Sequence, residues 1–223
     1  MITTASVAPY IRRAKLSNSR WFGSHLFSFL ATSIDTDGQF ALMEVMLPAG
    51  QEPPAHTHRI DDEAFYILGG EIEFRIGCET VLARKGDFVL LPAGIEHSFR
   101  VLGPPARVLL ISAPGGLDEV FTELSQPARR MGIRTNPPPL DLGSFLTGFG
   151  RKGLSFAPLN APPVSLALKS NPALATRPAV GLSRWYCGQL LTPLTTGSET
   201  NGRFAMIEAL GRRGEEPPLH VHE

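Results

Sequence analysis

The sequence lacks an excess of charge of either sign. Its 223 residues carry 21 lysines and arginines against 21 aspartates and glutamates. A chain without a basic surplus has no electrostatic signature for binding nucleic acid or an anionic membrane. We therefore expect neither nucleic acid nor a membrane among its partners.

Cysteines and long apolar runs are also scarce. The two cysteines, Cys78 and Cys187, stand in unrelated contexts, which argues against a disulfide framework. The most apolar early run, WFGSHLFSFLATSI, contains His25 and is shorter than the roughly 18 residues that a membrane-spanning helix needs. The N-terminus lacks the charged and apolar regions of a signal peptide. These absences predict a soluble, cytoplasmic protein.

Turn-forming residues are plentiful instead, with 22 glycines and 20 prolines. Between residues 40 and 112 they separate short apolar segments such as EAFYIL, EIEFRI, HSFRVL and PARVLLIS. This spacing is typical of strands in a sandwich or barrel. One helix is predicted in GGLDEVFTELSQP, where Leu117, Val120, Phe121 and Leu124 recur at helical spacing. The sequence thus predicts an all-β fold with one helix after the strands.

Two parts of the sequence repeat each other. Residues 185–222 are identical to residues 21–58 at 15 of 38 positions without a gap. The pair His56 and His58 recurs as His220 and His222, each time behind two prolines. We interpret this as an internal duplication. Residues 136–180, between the copies, carry eight prolines and little periodicity, and we predict a linker there.

Four residues around the first histidine pair form a candidate metal site. His56 and His58 are two residues apart, so a strand would present both on one face. Glu63 follows a short polar turn, and an antiparallel return would bring its carboxylate beside them. His97 begins a later strand whose other residues on that face are apolar. Three imidazoles and one carboxylate suit one divalent transition metal (Fe, Mn, Ni, Co, Cu or Zn) better than Mg or Ca.

Other polar residues nearby receive structural interpretations. His25 and Glu44 lie outside this pattern, and we expect both to be structural. Arg59, Asp61 and Asp62 are predicted to form a solvated turn between the histidine pair and Glu63.

The two segments that carry these residues resemble a known family. GQEPPAHTHRIDDEAFYILGG, residues 50–70, is similar to the first motif of the cupin superfamily, and GDFVLLPAGIEH, residues 86–97, is similar to the second. The second motif usually ends in Asn, where this chain has Val101. The resemblance covers about residues 20–125. It implies a double-stranded β-helix (jelly-roll) barrel with His56, His58, Glu63 and His97 as metal ligands.

Together, the resemblance and the duplication predict four parts. These are an N-terminal arm (1–20), a barrel with the complete metal site (21–130), a proline-rich linker (131–180) and the start of an incomplete second cupin repeat (181–223). The second repeat has no counterpart of Glu63 or His97, so we favour a truncated bicupin. Two alternatives stay open: the last segment adds strands to another barrel, or it is poorly ordered.

The resemblance also implies a function. It favours a metal-dependent dioxygenase of the quercetinase-like type, with Glu63 acting both as a ligand and as a proton acceptor. The mostly apolar strand faces favour a small aromatic or enolic substrate. A metal-assisted isomerase, lyase or decarboxylase and a non-catalytic binding or sensing cupin remain alternatives. Because cupins commonly pair through barrel strands, a homodimer is a candidate assembly.

Overall fold

The computed structural model describes residues 9–157, 175–176, 182–214 and 216. The chain divides into two compact units, residues 1–175 and residues 176–223. The first unit contains the four candidate metal ligands, and the second contains the repeated segment. No helix in the described ranges is long and apolar enough to cross a membrane.

The first unit consists mainly of strands. They are β1 (Ser19–Phe22), β2 (His25–Ala31), β3 (Ala41–Leu47), β4 (His56–His58), β5 (Asp62–Ile76), β6 (Glu79–Arg84), β7 (Phe88–Leu91), β8 (His97–Ala113), β9 (Gln126–Pro127) and β10 (Leu154–Phe156). A 3-10 turn at Leu16–Asn18 precedes β1, and the α-helices α1 (Leu117–Leu124) and α2 (Leu142–Arg151) follow β8 and β9. A two-residue strand, β11 (Ala175–Thr176), lies where the two units meet in the sequence.

The two longest strands, β5 and β8, organise the barrel sheet. They pair antiparallel, from Asp62 opposite Ala113 to Ile76 opposite His97. The sheet then runs β7, β5, β8, β3, β2, β1, β9, with β6 beside β5 and with β4 paired to both β8 and β10. This order brings β4, which carries the histidine pair, close to the strands that carry Glu63 and His97.

Strand β3 shows how alternation along the sequence forms the core. Ala41, Met43, Val45 and Leu47 are buried, and the residues between them are only half-buried. Side chains two residues apart share a face of the sheet, so one apolar face of each strand enters the barrel. The apolar alternation in the sequence therefore specifies which face of the sheet becomes the interior.

Glycines bend the long strands without ending them. EAFYIL and EIEFRI, predicted as separate strands, form the single strand β5, and HSFRVL and PARVLLIS form β8. The β5–β8 register shifts on either side of Gly69. Gly70 has a φ of 86°, and a Cβ there would lie 2.7 Å from the Cα of Ala106. A side chain would not fit at this approach, so glycine lets the paired strands stay continuous.

Helix α1 confirms the helix expected from the sequence. It spans Leu117–Leu124 and buries Val120 and Phe121 against the barrel core. The mainly β composition and the pairing of the strands confirm the predicted fold class, a jelly-roll cupin barrel.

Helix α2 differs from the expectation of a linker without regular structure. Asp141 caps it by accepting hydrogen bonds from the backbone N–H groups of Gly143 and Ser144, at 3.0 and 3.3 Å. Phe145 and Phe149, four residues apart, are both buried. The prolines at 137–139 precede the helix rather than interrupt it, so proline content was a misleading signal here.

The second unit contains a three-stranded antiparallel sheet. Its strands are β12 (Arg184–Tyr186), β13 (Gln189–Thr195) and β14 (Met206–Leu210), in that order. His220 and His222 lie outside the described residues. The boundaries of the four predicted parts, the incomplete second repeat, the homodimer and the cytoplasmic location stay predictions.

Candidate metal centre

Three strands bring the four predicted ligands together. On β4, His56 and His58 are buried while Thr57 between them is not, so both imidazoles point into the barrel. His56 lies directly opposite His97 at the start of β8. Glu63, the second residue of β5, lies between Leu91 of β7 and Ser112 of β8. The structure therefore places all four predicted ligands at one point inside the barrel.

The distances between these side chains would let all four bind the same metal ion. One atom from each of the four residues lies within 4.8 Å of the others. Glu63 Oε2 is 3.5 Å from His97 Nε2 and 3.9 Å from His58 Nε2. The His56 and His97 rings are 4.5 Å apart, and both are 5.1 Å from the His58 ring. All four residues are buried.

Two ring nitrogens in this cluster show that a cation fits. His58 Nε2 and His97 Nε2 are buried, and neither has a hydrogen-bond partner within the described part of the chain. A buried polar atom without a partner is unfavourable by about 1–3 kcal/mol. A divalent metal ion bound by imidazole nitrogens and a carboxylate oxygen would satisfy both atoms.

The other nitrogen of each ring fixes its orientation. Nδ1 of His56 lies 2.8 Å from the carbonyl oxygen of Pro54, and Nδ1 of His97 lies 3.0 Å from that of Ile95. A carbonyl oxygen only accepts, so both Nδ1 atoms carry the proton and leave the Nε2 lone pair free. These backbone contacts pre-orient two histidines as ligands.

A carboxylate holds the third histidine. Asp61 Oδ2 lies 2.8 Å from His58 Nδ1, and both residues are almost fully buried. A carboxylate behind a ligating histidine fixes its tautomer and increases its basicity. Asp62, also buried, accepts a hydrogen bond from the N–H of Ala93 at 2.8 Å. The prediction of a solvated turn was therefore wrong for Asp61 and Asp62, since both carboxylates have partners inside the fold, but Arg59 is exposed as expected.

The charges in the cluster favour metal binding. Burial lowers the pKa of His56 to about 4, and the neighbouring His97 adds to this effect. Burial opposes the charge on His58 too, but Asp61 and Glu63 outweigh it and raise its pKa. Burial would also raise the pKa of Glu63, but His58 and the other two histidines lower it below its usual range. Glu63 is consequently ionised and His56 neutral, the states in which each can bind a cation.

A cavity of about 330 Å³ opens beside the cluster. His56, His58 and Glu63 form part of its wall, and eight phenylalanines form much of the rest. Among these, Phe27 and Phe121 stack at 4.3 Å, and Phe22 meets Phe121 edge to face at 5.5 Å. A space of this size and composition suits a small apolar or aromatic molecule.

The segment predicted as a linker supplies one side of this cavity. Strand β10 pairs with β4, placing Phe156 opposite His56. The Phe156 ring lies 5.6 Å from the His56 ring and 4.9 Å from the ring of Phe145 on α2. The sequence signals that could have found this wall are the four-residue spacing of Phe145 and Phe149 and the alternation of Leu154 and Phe156.

His25 also lines this cavity. It was expected to be structural, and that stays a prediction; the structure shows it buried on the cavity wall. The signal was available in WFGSHLFSF, where a histidine interrupts an aromatic run without an obvious surface role.

Residues 43–112 match the family described as the cupin domain. This match spans strands β3 to β8 of the barrel and supports the resemblance to the cupin superfamily for this part of the chain. The cupin barrel of this chain is also similar to the quercetin 2,3-dioxygenase of Bacillus subtilis (strain 168), at 27% identity over 119 residues, 53% of this chain and 35% of that protein. The quercetin 2,3-dioxygenase of Aspergillus japonicus is 27% identical over 125 residues, 52% of this chain and 35% of that protein. The matched region thus spans about a third of the length of these two relatives.

Among solved structures, KdgF from Halomonas sp. superposes on this chain with a TM-score of 0.39 at 20% sequence identity. The match covers 43% of this chain and 84% of that chain.

Proposed function

We propose that this protein is a metal-dependent dioxygenase of the quercetinase-like type that acts on a small aromatic or enolic substrate. His56, His58, Glu63 and His97 would hold one divalent transition-metal ion (Fe, Mn, Ni, Co, Cu or Zn). One observation carries the proposal: the four buried side chains converge on one point beside a phenylalanine-lined cavity. The similarity to two quercetin dioxygenases supports the choice of reaction.

The bound metal would supply a Lewis acid that binds an oxygen atom of the substrate. The chain's own residues would bind the substrate, exclude water and accept a proton. The phenylalanine rings hold a planar substrate and exclude water, which strengthens the electrostatic contacts of the buried Glu63. Glu63 is ionised and lies on the cavity wall, so its carboxylate can accept the proton of a substrate hydroxyl. Loss of this proton makes the substrate electron-rich and prepares it for oxidation by dioxygen.

Oxygen consumption tests this proposal. We expect metal-loaded protein to consume dioxygen when quercetin is added, and Glu63→Gln to slow the reaction by at least about 100-fold. Glu44→Gln is the matched control, because Glu44 pairs with Arg107 at 2.7 Å and does not line the cavity. It should leave oxygen uptake unchanged. A metal-loaded protein that binds quercetin without consuming dioxygen would contradict the dioxygenase and favour a binding protein.

A further inference from the structure

The cavity wall carries a buried histidine away from the metal cluster. His25, the first residue of β2, lines the cavity and is only 8% exposed. Its ring is 6.3 Å from the ring of Phe27. The surrounding wall is largely aromatic and aliphatic, so His25 is one of few polar groups that a bound molecule could meet.

The hydrogen bond of His25 decides what its free nitrogen can do. Nδ1 lies 3.3 Å from the carbonyl oxygen of Phe22, and a carbonyl only accepts, so Nδ1 carries the proton. Burial lowers the pKa of His25, which keeps the ring neutral. In a neutral ring protonated at Nδ1, Nε2 is an acceptor. Among the hydrogen bonds of the described residues, the one that involves the His25 ring is at Nδ1.

A carboxylate on this wall, Glu52, does not supply a donor for His25. Glu52 lines the same cavity, and its charge acts on His25. Its Oε1 accepts a hydrogen bond from the backbone N–H of Val101 at 2.8 Å. Glu52 therefore acts as an acceptor in the hydrogen bond that the structure shows, and a donor for His25 Nε2 is left to a bound molecule.

We propose that His25 is a second anchor for the substrate, with Nε2 accepting a hydrogen bond from a substrate hydroxyl. This inference rests on the proposed function. It narrows the substrate class to aromatic molecules with at least two separate oxygen groups, one directed to the metal cluster and a hydroxyl directed to His25. An apolar cavity binds by shape, whereas a buried acceptor discriminates strongly against an analogue that lacks the matching hydroxyl.

Two ligands and two variants test the anchor. Quercetin carries hydroxyl groups on several rings, and 3-hydroxyflavone has the same ring system with the enol hydroxyl alone. We expect His25→Phe, measured by titration of metal-loaded protein, to weaken quercetin binding by about 10-fold or more and 3-hydroxyflavone binding by far less. His25→Gln, which restores an acceptor and is the residue found at the equivalent position 189 of the repeat, should recover part of the difference.

The outcomes separate this inference from the function on which it rests. Equal weakening of both ligands by His25→Phe would show a packing role and overturn the anchor alone, as would unchanged quercetin binding in the folded variant. Selective weakening without oxygen consumption by the wild type would overturn the dioxygenase and leave the anchor standing. If the metal-loaded wild type binds neither flavonol, both the substrate class and the anchor are wrong. Metal content equal to that of the wild type establishes that each variant retains the cluster.

Discussion

The two copies of the repeated sequence form the same local structure. In the first copy, β1 pairs with β2 with Trp21 opposite Leu26, and in the second β12 pairs with β13 with Trp185 opposite Leu190. The next strand joins in the same register in both, since Glu44 faces Ser28 and the equivalent Glu208 faces Thr192. The duplication read from the sequence is therefore also a duplication of strand pairing.

The turns between the strands are built alike as well. The carboxylate of Asp35 accepts a hydrogen bond from the N–H of Thr32, and that of Glu199 from the N–H of Thr196, both at 2.8 Å. A glycine ends each turn with a similar φ, 76° at Gly38 and 78° at Gly202. Each turn therefore follows from short-range contacts that its own residues provide.

Burial is where the two copies differ. Met43 on β3 is fully buried, but the equivalent Ile207 on β14 is 55% exposed. Trp185 is 71% exposed, whereas Trp21 is partly covered and donates a hydrogen bond to the carbonyl of Gly132. In the first copy β3 pairs with β8, which begins 50 residues after β3 ends. The sequence of each copy is therefore sufficient for its strands and turns. Burial of one face, as in the first copy, requires strands from elsewhere in the chain.

The largest contrast between the copies should be in metal binding. His56→Ala should reduce the metal content, measured by elemental analysis, from about one ion per chain to nearly none, because it removes one of four converging ligands. His220→Ala is the matched change in the repeat and should leave the metal content unchanged. Equal losses in the two variants would show that both histidine pairs bind metal.

Core burial should give the next largest contrast. Met43→Ala should lower the free energy of unfolding by about 2–5 kcal/mol, because it leaves a cavity in a fully buried position. The matched Ile207→Ala should change it by less than about 0.5 kcal/mol, since that side chain is mostly exposed. Denaturant unfolding followed by circular dichroism measures both. Similar losses would mean that the second sheet is also covered in solution.

The contact behind His58 should have a smaller effect. Asp61→Asn should weaken metal affinity by about 10- to 100-fold, because the amide no longer holds the His58 ring as a carboxylate does. Asp62→Asn is the control, since Asp62 is equally buried but binds the N–H of Ala93. Competition with a chromophoric chelator measures both affinities. A matching loss in Asp62→Asn would assign the effect to the turn rather than to His58.

The smallest difference between the copies should be in the stability contributed by the turn carboxylates Asp35 and Glu199. Asp35 contacts Arg12 at 2.5 Å, and the hydrogen bond from Arg12 lowers the pKa of Asp35 below its usual range. Asp35→Asn should therefore cost about 1 kcal/mol of stability at neutral pH. Because the folded pKa is depressed, this contribution is present above the ordinary pKa of about 3.9 and is lost as the pH falls through the lower folded value.

Chemical denaturation between pH 7 and pH 2 checks this prediction, with the gap between Asp35→Asn and wild type closing only at the acidic end. Glu199→Gln is the matched variant, and within the described residues Glu199 takes part in no ion pair. It should therefore show a smaller gap at neutral pH. If both variants lost the same stability at every pH, the contact between Asp35 and Arg12 would not be the cause.

The convergence of His56, His58, Glu63 and His97 could be predicted because its signals are short-range. His56, His58 and Glu63 lie within eight residues of one another, and the period of two along a strand sets their common direction. His97 could be added to this site by assuming that its strand pairs beside the other three residues. The contact of Asp61 with His58 could not be predicted in this way, because it depends on which side chains surround Asp61 after the barrel closes.

By itself, the sequence determined the strands, the turns, the helix α1, the duplication and the four converging side chains, since these depend on neighbours a few residues apart or on motif spacing. Only the tertiary structure decided that α2 and β10 return to cover the cavity and that Asp61 lies behind His58. It also decided that Met43 is buried while the equivalent Ile207 is exposed. The physical reason is that burial is a property of contacts between distant segments. Two segments that agree at 15 of 38 positions can therefore form the same strands and still differ in what covers them.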